Sequence, residues 1–203
     1  MKFYYTPGAC SLASHIVLRE AGYGFGLVKV DLATHKTEHG DDFLAINPKG
    51  YVPALQFLDG SVLTENQVIL QYLADHKPQA GLAPETGTMA RYRLMEWLAF
   101  IATELHKGFG PLWNPNAPTE TRQAALDQLS KRFDFVEKEL GNQHYLTGEH
   151  FTIVDAYLFT VLSWCAYHHI DLSPWPRLAA FQKRVAERPA VAAALHAEGL
   201  AGE

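Results

Sequence analysis

The chain has 203 residues, 48% hydrophobic and 19% charged, with a formal net charge of −5. That is enough apolar material for a real core, in one large domain or two small ones. It has no long basic run to track a nucleic-acid backbone, no apolar run near the ~18 residues a membrane span needs, and no signal-peptide pattern. A cytoplasmic protein with no nucleic-acid or membrane partner is expected.

In chain order, Lys2 to Thr6 reads as a strand, and Pro7-Gly8 punctuates a turn. Ser11 to Ala21 reads as a helix with Ile16, Val17 and Leu18 inward; Gly22 and Gly24 end it. Phe25 to Leu32 is a second strand. Thr34 to Asp42 is irregular or a short helix. Asn47-Pro48-Lys49-Gly50 is a turn signal. Pro53 to Leu58 and Ser61 to Leu63 are strands joined by an Asp59-Gly60 hairpin turn. Glu65 to His76 is a helix with Val68, Ile69, Tyr72 and Leu73 at helical spacing. About 80 residues thus predict a small mixed sheet with helices on its faces.

Pro78, Gly81, Pro84 and Gly87 then cluster, and no strand pattern returns. A domain boundary near residue 82 is expected, giving domains 1–81 and 87–203. The second is all helical: Met89 to Gly108 as one long helix, then Thr119 to Leu140, Thr152 to His169, Arg177 to Glu187 and Ala190 to Ala197. Thr152-Ile153-Val154-Asp155 is a capping box with Phe151 ahead of it as the staple residue.

Several residue groups could carry chemistry. Cys10 falls near the first turn of a helix, where unpaired N–H groups and the helix dipole favour a thiolate. A small buried hydrophobe is the competing reading. Cys165 lies in an apolar helical stretch and reads as such a hydrophobe. Neither cysteine has a Cys-x-x-Cys partner, and the histidines show no ligand spacing, so no metal is expected. Val52-Pro53 opens a strand; a cis bond there would turn the Val52 backbone toward a peptide ligand, though the residues alone favour trans. Glu65 and Asn66 open a helix whose free N–H groups form a carboxylate site, with Glu65 available to an ammonium group. Capping alone would also explain them. Ala99, Thr103 and His106 share one stripe of the Met89–Gly108 helix. Glu104, His106 and Lys107 cluster at its end, where the dipole by itself favours His and Lys.

Together these residues resemble the bacterial beta class of glutathione transferases over essentially the whole chain. The resemblance rests on Tyr5-Thr-Pro-Gly-Ala-Cys-Ser-Leu, Asn47-Pro-Lys-Gly-Tyr-Val-Pro-Ala-Leu, Leu63-Thr-Glu-Asn, Glu104-Leu-His-Lys-Gly and Phe151-Thr-Ile-Val-Asp-Ala-Tyr-Leu-Phe. It implies a thioredoxin-like N-terminal domain, a C-terminal helical bundle with the electrophile pocket, and a homodimer; detoxification is one expected role, with dehalogenation, isomerisation and peroxide reduction also open. It implies that Cys10 faces the glutathione sulfur and that Val52, before a cis Pro53, pairs with the cysteinyl backbone. Glu65 and Asn66 would hold the γ-glutamyl end. His106 and Lys107 would approach from the helical domain, with further contacts from Ala99, Thr103 and Glu104. Two positions depart from the class. His35 stands where lysine is common, so the glycine carboxylate would pass to Lys36 or depend on the charge of His35. Ala99 stands where asparagine is common and donates nothing.

The leading expectation is attack of glutathione thiolate on a small hydrophobic electrophile, by conjugation or dehalogenation, with Tyr5, Phe109, Trp113 and Trp164 as pocket candidates. One rival is thiol-disulfide reduction through a Cys10 mixed disulfide. Another is a non-catalytic binding or regulatory protein on the same fold.

Overall fold

A computed structural model describes residues 1–200 of the chain. They form two compact units: Met1–Ala83 with the segment from Ala186 onward, and Pro84–Val185. The C-terminal segment therefore groups with the first unit, whereas the expected division placed it with the helical part.

The first unit is a thioredoxin-like mixed sheet with helices. Strands β1 (Lys2–Tyr5), β2 (Gly26–Asp31), β3 (Lys36–Thr37), β4 (Ala54–Gln56) and β5 (Val62–Thr64) lie in the order β3-β2-β1-β4-β5. β1 and β2 are parallel, joined by helix α1 (Ser11–Glu20); the other pairs are antiparallel. β1 is central and buries Phe3, Tyr4 and Tyr5. Tyr4, Val28, Val30, Phe43, Val52 and Ala54 form one core cluster. Helix α1 is buried from Ser11 to Leu18. It packs against both α3 (Asn66–His76) and the C-terminal helix α9 (Pro189–Ala197), so it is covered on both faces, the polar His15 included.

Three local readings of this unit change. Thr34 to Asp42 holds the two-residue strand β3; the short helix α2 (Phe43–Ile46) starts later, with Asp42 as its N-cap accepting from Leu44 N–H. The β4–β5 hairpin is shorter than expected, and Leu58 beside its turn is 96% exposed. The Val52–Pro53 bond is cis, where the residues alone favoured trans.

The second unit is helical: α4 (Met89–Phe100), α5 (Gly110–Trp113), α6 (Thr119–Leu140), α7 (Ile153–Tyr167) and α8 (Pro176–Ala186), the last ending at the boundary. α6 buries Ala125, Leu129, Phe133, Val136 and Leu140, one stripe at helical spacing. α7 is buried almost throughout. Its capping box is formed: Asp155 accepts from Thr152 N–H at 2.7 Å and from Leu146 N–H at 2.8 Å.

Met89 to Gly108 is not one α-helix. After α4 the chain runs through a π-helical turn, Ile101–His106, and a 3-10 turn, Lys107–Phe109, before α5. Leu94, Leu98, Ile101 and Leu105 stay buried across the change, so the apolar pattern continues while the hydrogen-bond pattern shifts. Gly108 lies in this stretch, and a Cβ there would come within 2.9 Å of Leu129 Cδ2 on α6.

Candidate functional site

In the first unit, the turn from Thr6 to Cys10 places Cys10 at the N-cap of α1. Ser11 Oγ lies 3.3 Å from both Thr6 N and Thr6 O, which ties the turn together. Cys10 Sγ, partly buried, donates to the Val52 carbonyl at 3.3 Å. Turn and cis-proline strand opening thus meet at a sulfur. A thiol is a weak donor, so little holds Sγ to that carbonyl.

The head of α3 carries the most unusual backbone of the site. Glu65, its N-cap, has φ 70° and ψ 113°. A non-glycine residue held at positive φ costs on the order of 1–3 kcal/mol and persists only where its surroundings enforce it. Its carboxylate receives Lys49 Nζ at 2.7 Å; Lys49 also donates to Thr64 Oγ1 at 3.0 Å. Asn66 is 7% exposed. Its Oδ1 accepts from Ser14 Oγ on α1 at 2.6 Å, while its buried Nδ2 has no partner among the described residues. A buried amide donor of that kind is one a ligand can satisfy.

His35 stands between β2 and β3 at φ 52°, with a buried Nδ1 that has no partner among the described residues. Gly50 packs against it: a Cβ there would lie 2.9 Å from His35 Cε1, and Gly50 itself has φ 72°. Glycine is required on both counts. Lys36 is exposed on β3.

In the second unit, His106 ends the π-helical turn. Its Nδ1 lies 2.7 Å from Tyr157 OH, and its ring meets Trp164 edge-on at 4.9 Å. Burial, and secondarily the charge of Lys107, push its pKa down to about 4. His106 is therefore a neutral imidazole at neutral pH. Thr103 donates to the Ala99 carbonyl at 3.0 Å and so uses its hydroxyl within its own helix. Glu104 pairs with Arg132 at 2.6 Å. Of the aromatic candidates, Tyr5, Phe109 and Trp164 are 7%, 0% and 5% exposed and belong to the core. Trp113 differs: it is 43% exposed and stands edge-on to Trp164 and tilted against Tyr167. Cys165 is buried, and burial raises its pKa to about 12, so it is the inert hydrophobe the sequence suggests.

The N-terminal domain model of glutathione S-transferases matches residues 8–76, and the C-terminal domain model matches residues 100–189. A glutathione transferase structure from Methylococcus capsulatus str. Bath is 62% identical, covering 98% of this chain and 99% of that one, with TM-score 0.97. The bacterial beta class transferase of Sphingomonas chungbukensis is 50% identical, covering 99% and 100%, with TM-score 0.95. A sphingomonad transferase solved with glutathione is 49% identical over the same shares, with TM-score 0.95. The chain belongs to the bacterial beta class of the glutathione transferase family.

Within this transferase, several residues at the candidate site escape a sequence reading. Ser14, Lys49, Arg132 and Tyr157 each hold a candidate residue by a contact to a distant part of its own unit. Only Lys49 gives a local signal, as the cation of the Asn47–Gly50 turn.

Proposed function

We propose that the first unit binds glutathione with its sulfur facing Cys10, and that the thiolate attacks a small hydrophobic electrophile. A carbon–sulfur bond forms, the thiol proton is lost, and either a halide departs or an activated double bond takes up a proton. The supporting observation is Cys10 Sγ at 3.3 Å from the Val52 carbonyl. It places the protein thiol beside the backbone group suited to a peptide's cysteinyl residue. A thiol donor at that place could donate to the glutathione thiolate. The α3 head suits the γ-glutamyl end: helix N–H groups and Asn66 Nδ2 for the carboxylate, Glu65 for the ammonium. His35 or Lys36 would take the glycine carboxylate. Within the helical unit taken by itself, neutral His106 and the half-exposed Trp113 are the side chains suited to a small hydrophobic electrophile. Ala99, Thr103 and Glu104 have a weaker claim, since two are spent in their own unit and Ala99 has no polar side chain.

We also propose a cytoplasmic homodimer. Each unit leaves large apolar side chains exposed: Val68 on α3 at 42% in the first, and Tyr92 and Met95 on α4 at 55% and 39% in the second.

Assaying Cys10→Ser and Cys10→Ala tests the reaction. Conjugation of an aryl halide is expected to persist in both at reduced rate, because glutathione supplies the nucleophile. If both variants bind glutathione normally but conjugate nothing, Cys10 is an obligatory covalent partner and the proposed reaction is wrong.

A further inference from the structure

Glu198 lies at the end of α9 and its carboxylate is fully buried. Oε2 accepts from Gly8 N–H at 2.9 Å, and Oε1 lies 2.8 Å from His15 Nδ1. His15, also fully buried, receives Arg19 Nε–H on its Nε2 at 2.8 Å. These contacts fix the proton. A guanidinium only donates, so His15 Nε2 must be the bare nitrogen. The imidazole proton therefore sits on Nδ1 and points at Glu198. The result is an uninterrupted line: Arg19 cation, neutral His15, Glu198 carboxylate, Gly8 amide. The line ends in the turn that presents Cys10. Gly8 is two residues before the sulfur, at φ 70°, and Ala9 N–H closes the turn on Thr6 O at 3.1 Å.

We propose that Arg19, His15 and Glu198 form a positioning relay that sets the Cys10 turn through the Gly8 amide. The C-terminal segment thereby contributes to sulfur placement as well as to packing. None of the three touches the reacting atoms; they act through the turn. The inference rests on the reading that Cys10 faces the glutathione sulfur. A plain staple between α1 and α9 would need only the His15–Glu198 contact. The second oxygen, aimed at Gly8, is what extends the line to the turn.

Glu198→Gln keeps the volume and breaks the logic. If its one oxygen accepts from Gly8, its amide N–H meets His15 Nδ1–H. If His15 moves its proton to Nε2, that proton meets Arg19. One donor–donor conflict remains in either arrangement. Arg19→Met removes the donor that fixes the tautomer, while Arg19→Lys keeps one.

The test is the alkylation rate of Cys10 by iodoacetamide at fixed pH, read by peptide mass, with kcat and KM for glutathione and the urea midpoint. Cys165 is buried and reports unfolding separately. Glu198→Gln is expected to change the Cys10 alkylation rate by about threefold or more. It is expected to raise the glutathione KM about tenfold, the scale of one lost charge-assisted hydrogen bond, with a smaller change in kcat. Arg19→Met is expected to move in the same direction, with Arg19→Lys restoring the wild-type rate. If Glu198→Gln and Arg19→Met lower the urea midpoint yet alkylate Cys10 at the wild-type rate, the line is only a staple and the proposal is overturned. Should Glu198→Gln fail to fold, the partly exposed Arg19 pair decides alone. Alkylation needs no glutathione, so failure of the relay is distinguishable from failure of the glutathione reading, which wild-type protein that binds no glutathione would show.

Discussion

In the proposed binding mode Glu65 would set stability against binding, a conflict that one substitution can expose. Its φ of 70° is strained for a side-chain-bearing residue. Its ion pair with Lys49 is more than half exposed on both sides and contributes little. Glu65→Gly is therefore expected to stabilise the fold, by about 1 kcal/mol in urea unfolding, while weakening glutathione at least about tenfold in calorimetry. A variant less stable than wild type would mean that the strained backbone is not what the residue costs. Asn66 sits beside it with one oxygen satisfied and one donor open. Both residues were legible in the sequence because a helix start is a local event. Ser14 was not, because nothing local distinguishes a serine that meets Asn66 from one that fills space.

Elements repeat this division. The cap of α7 could be read directly, since Thr152 and Asp155 stand at the spacing a capping box needs. Asp155 also satisfies Leu146 N–H, a partner no local motif specifies. Asp155→Ala should cost about 2–4 kcal/mol, since it leaves buried donors without acceptors. Urea unfolding measures that, and Cys10 alkylation in the folded protein should be unchanged. The π-helical turn was illegible for a different reason. Leu94, Leu98, Ile101 and Leu105 keep the ordinary helical period, so the sequence reads as one helix. The change lies in backbone pairing, at the residues leading to His106. A two-residue strand such as β3 is too short to show any period.

At the scale of the whole molecule, two buried groups set opposing pH trends. His106 has its pKa lowered from 6.5 to about 4, so its contribution is present above pH 6.5 and lost as pH falls toward 4. Asp155, pushed by burial from 3.8 to about 6, does the reverse: its contribution is present below pH 3.8 and lost as pH rises through about 6. Between pH 4 and 6 the two largely offset. Removing one should unmask the other. Relative to wild type, His106→Asn is expected to gain about 2 kcal/mol on going from about pH 7 to about pH 5, measured by urea unfolding at both. No relative gain would mean that His106 ionises as freely in the folded chain as in the unfolded one. Activity should show no titration of His106 above about pH 5, because the residue is already neutral there.

In the proposed binding mode the first unit holds glutathione by the α3 head, with its sulfur at Cys10. Calorimetric titration of wild type and Asn66→Asp with glutathione tests it most directly. The substituted carboxylate keeps the acceptor that Ser14 uses, so the fold should survive while the open donor is lost. Wild type is expected to bind one glutathione per chain and Asn66→Asp to bind at least about tenfold more weakly. Equal affinity in the two proteins, or no binding by wild type at millimolar glutathione, would contradict the account.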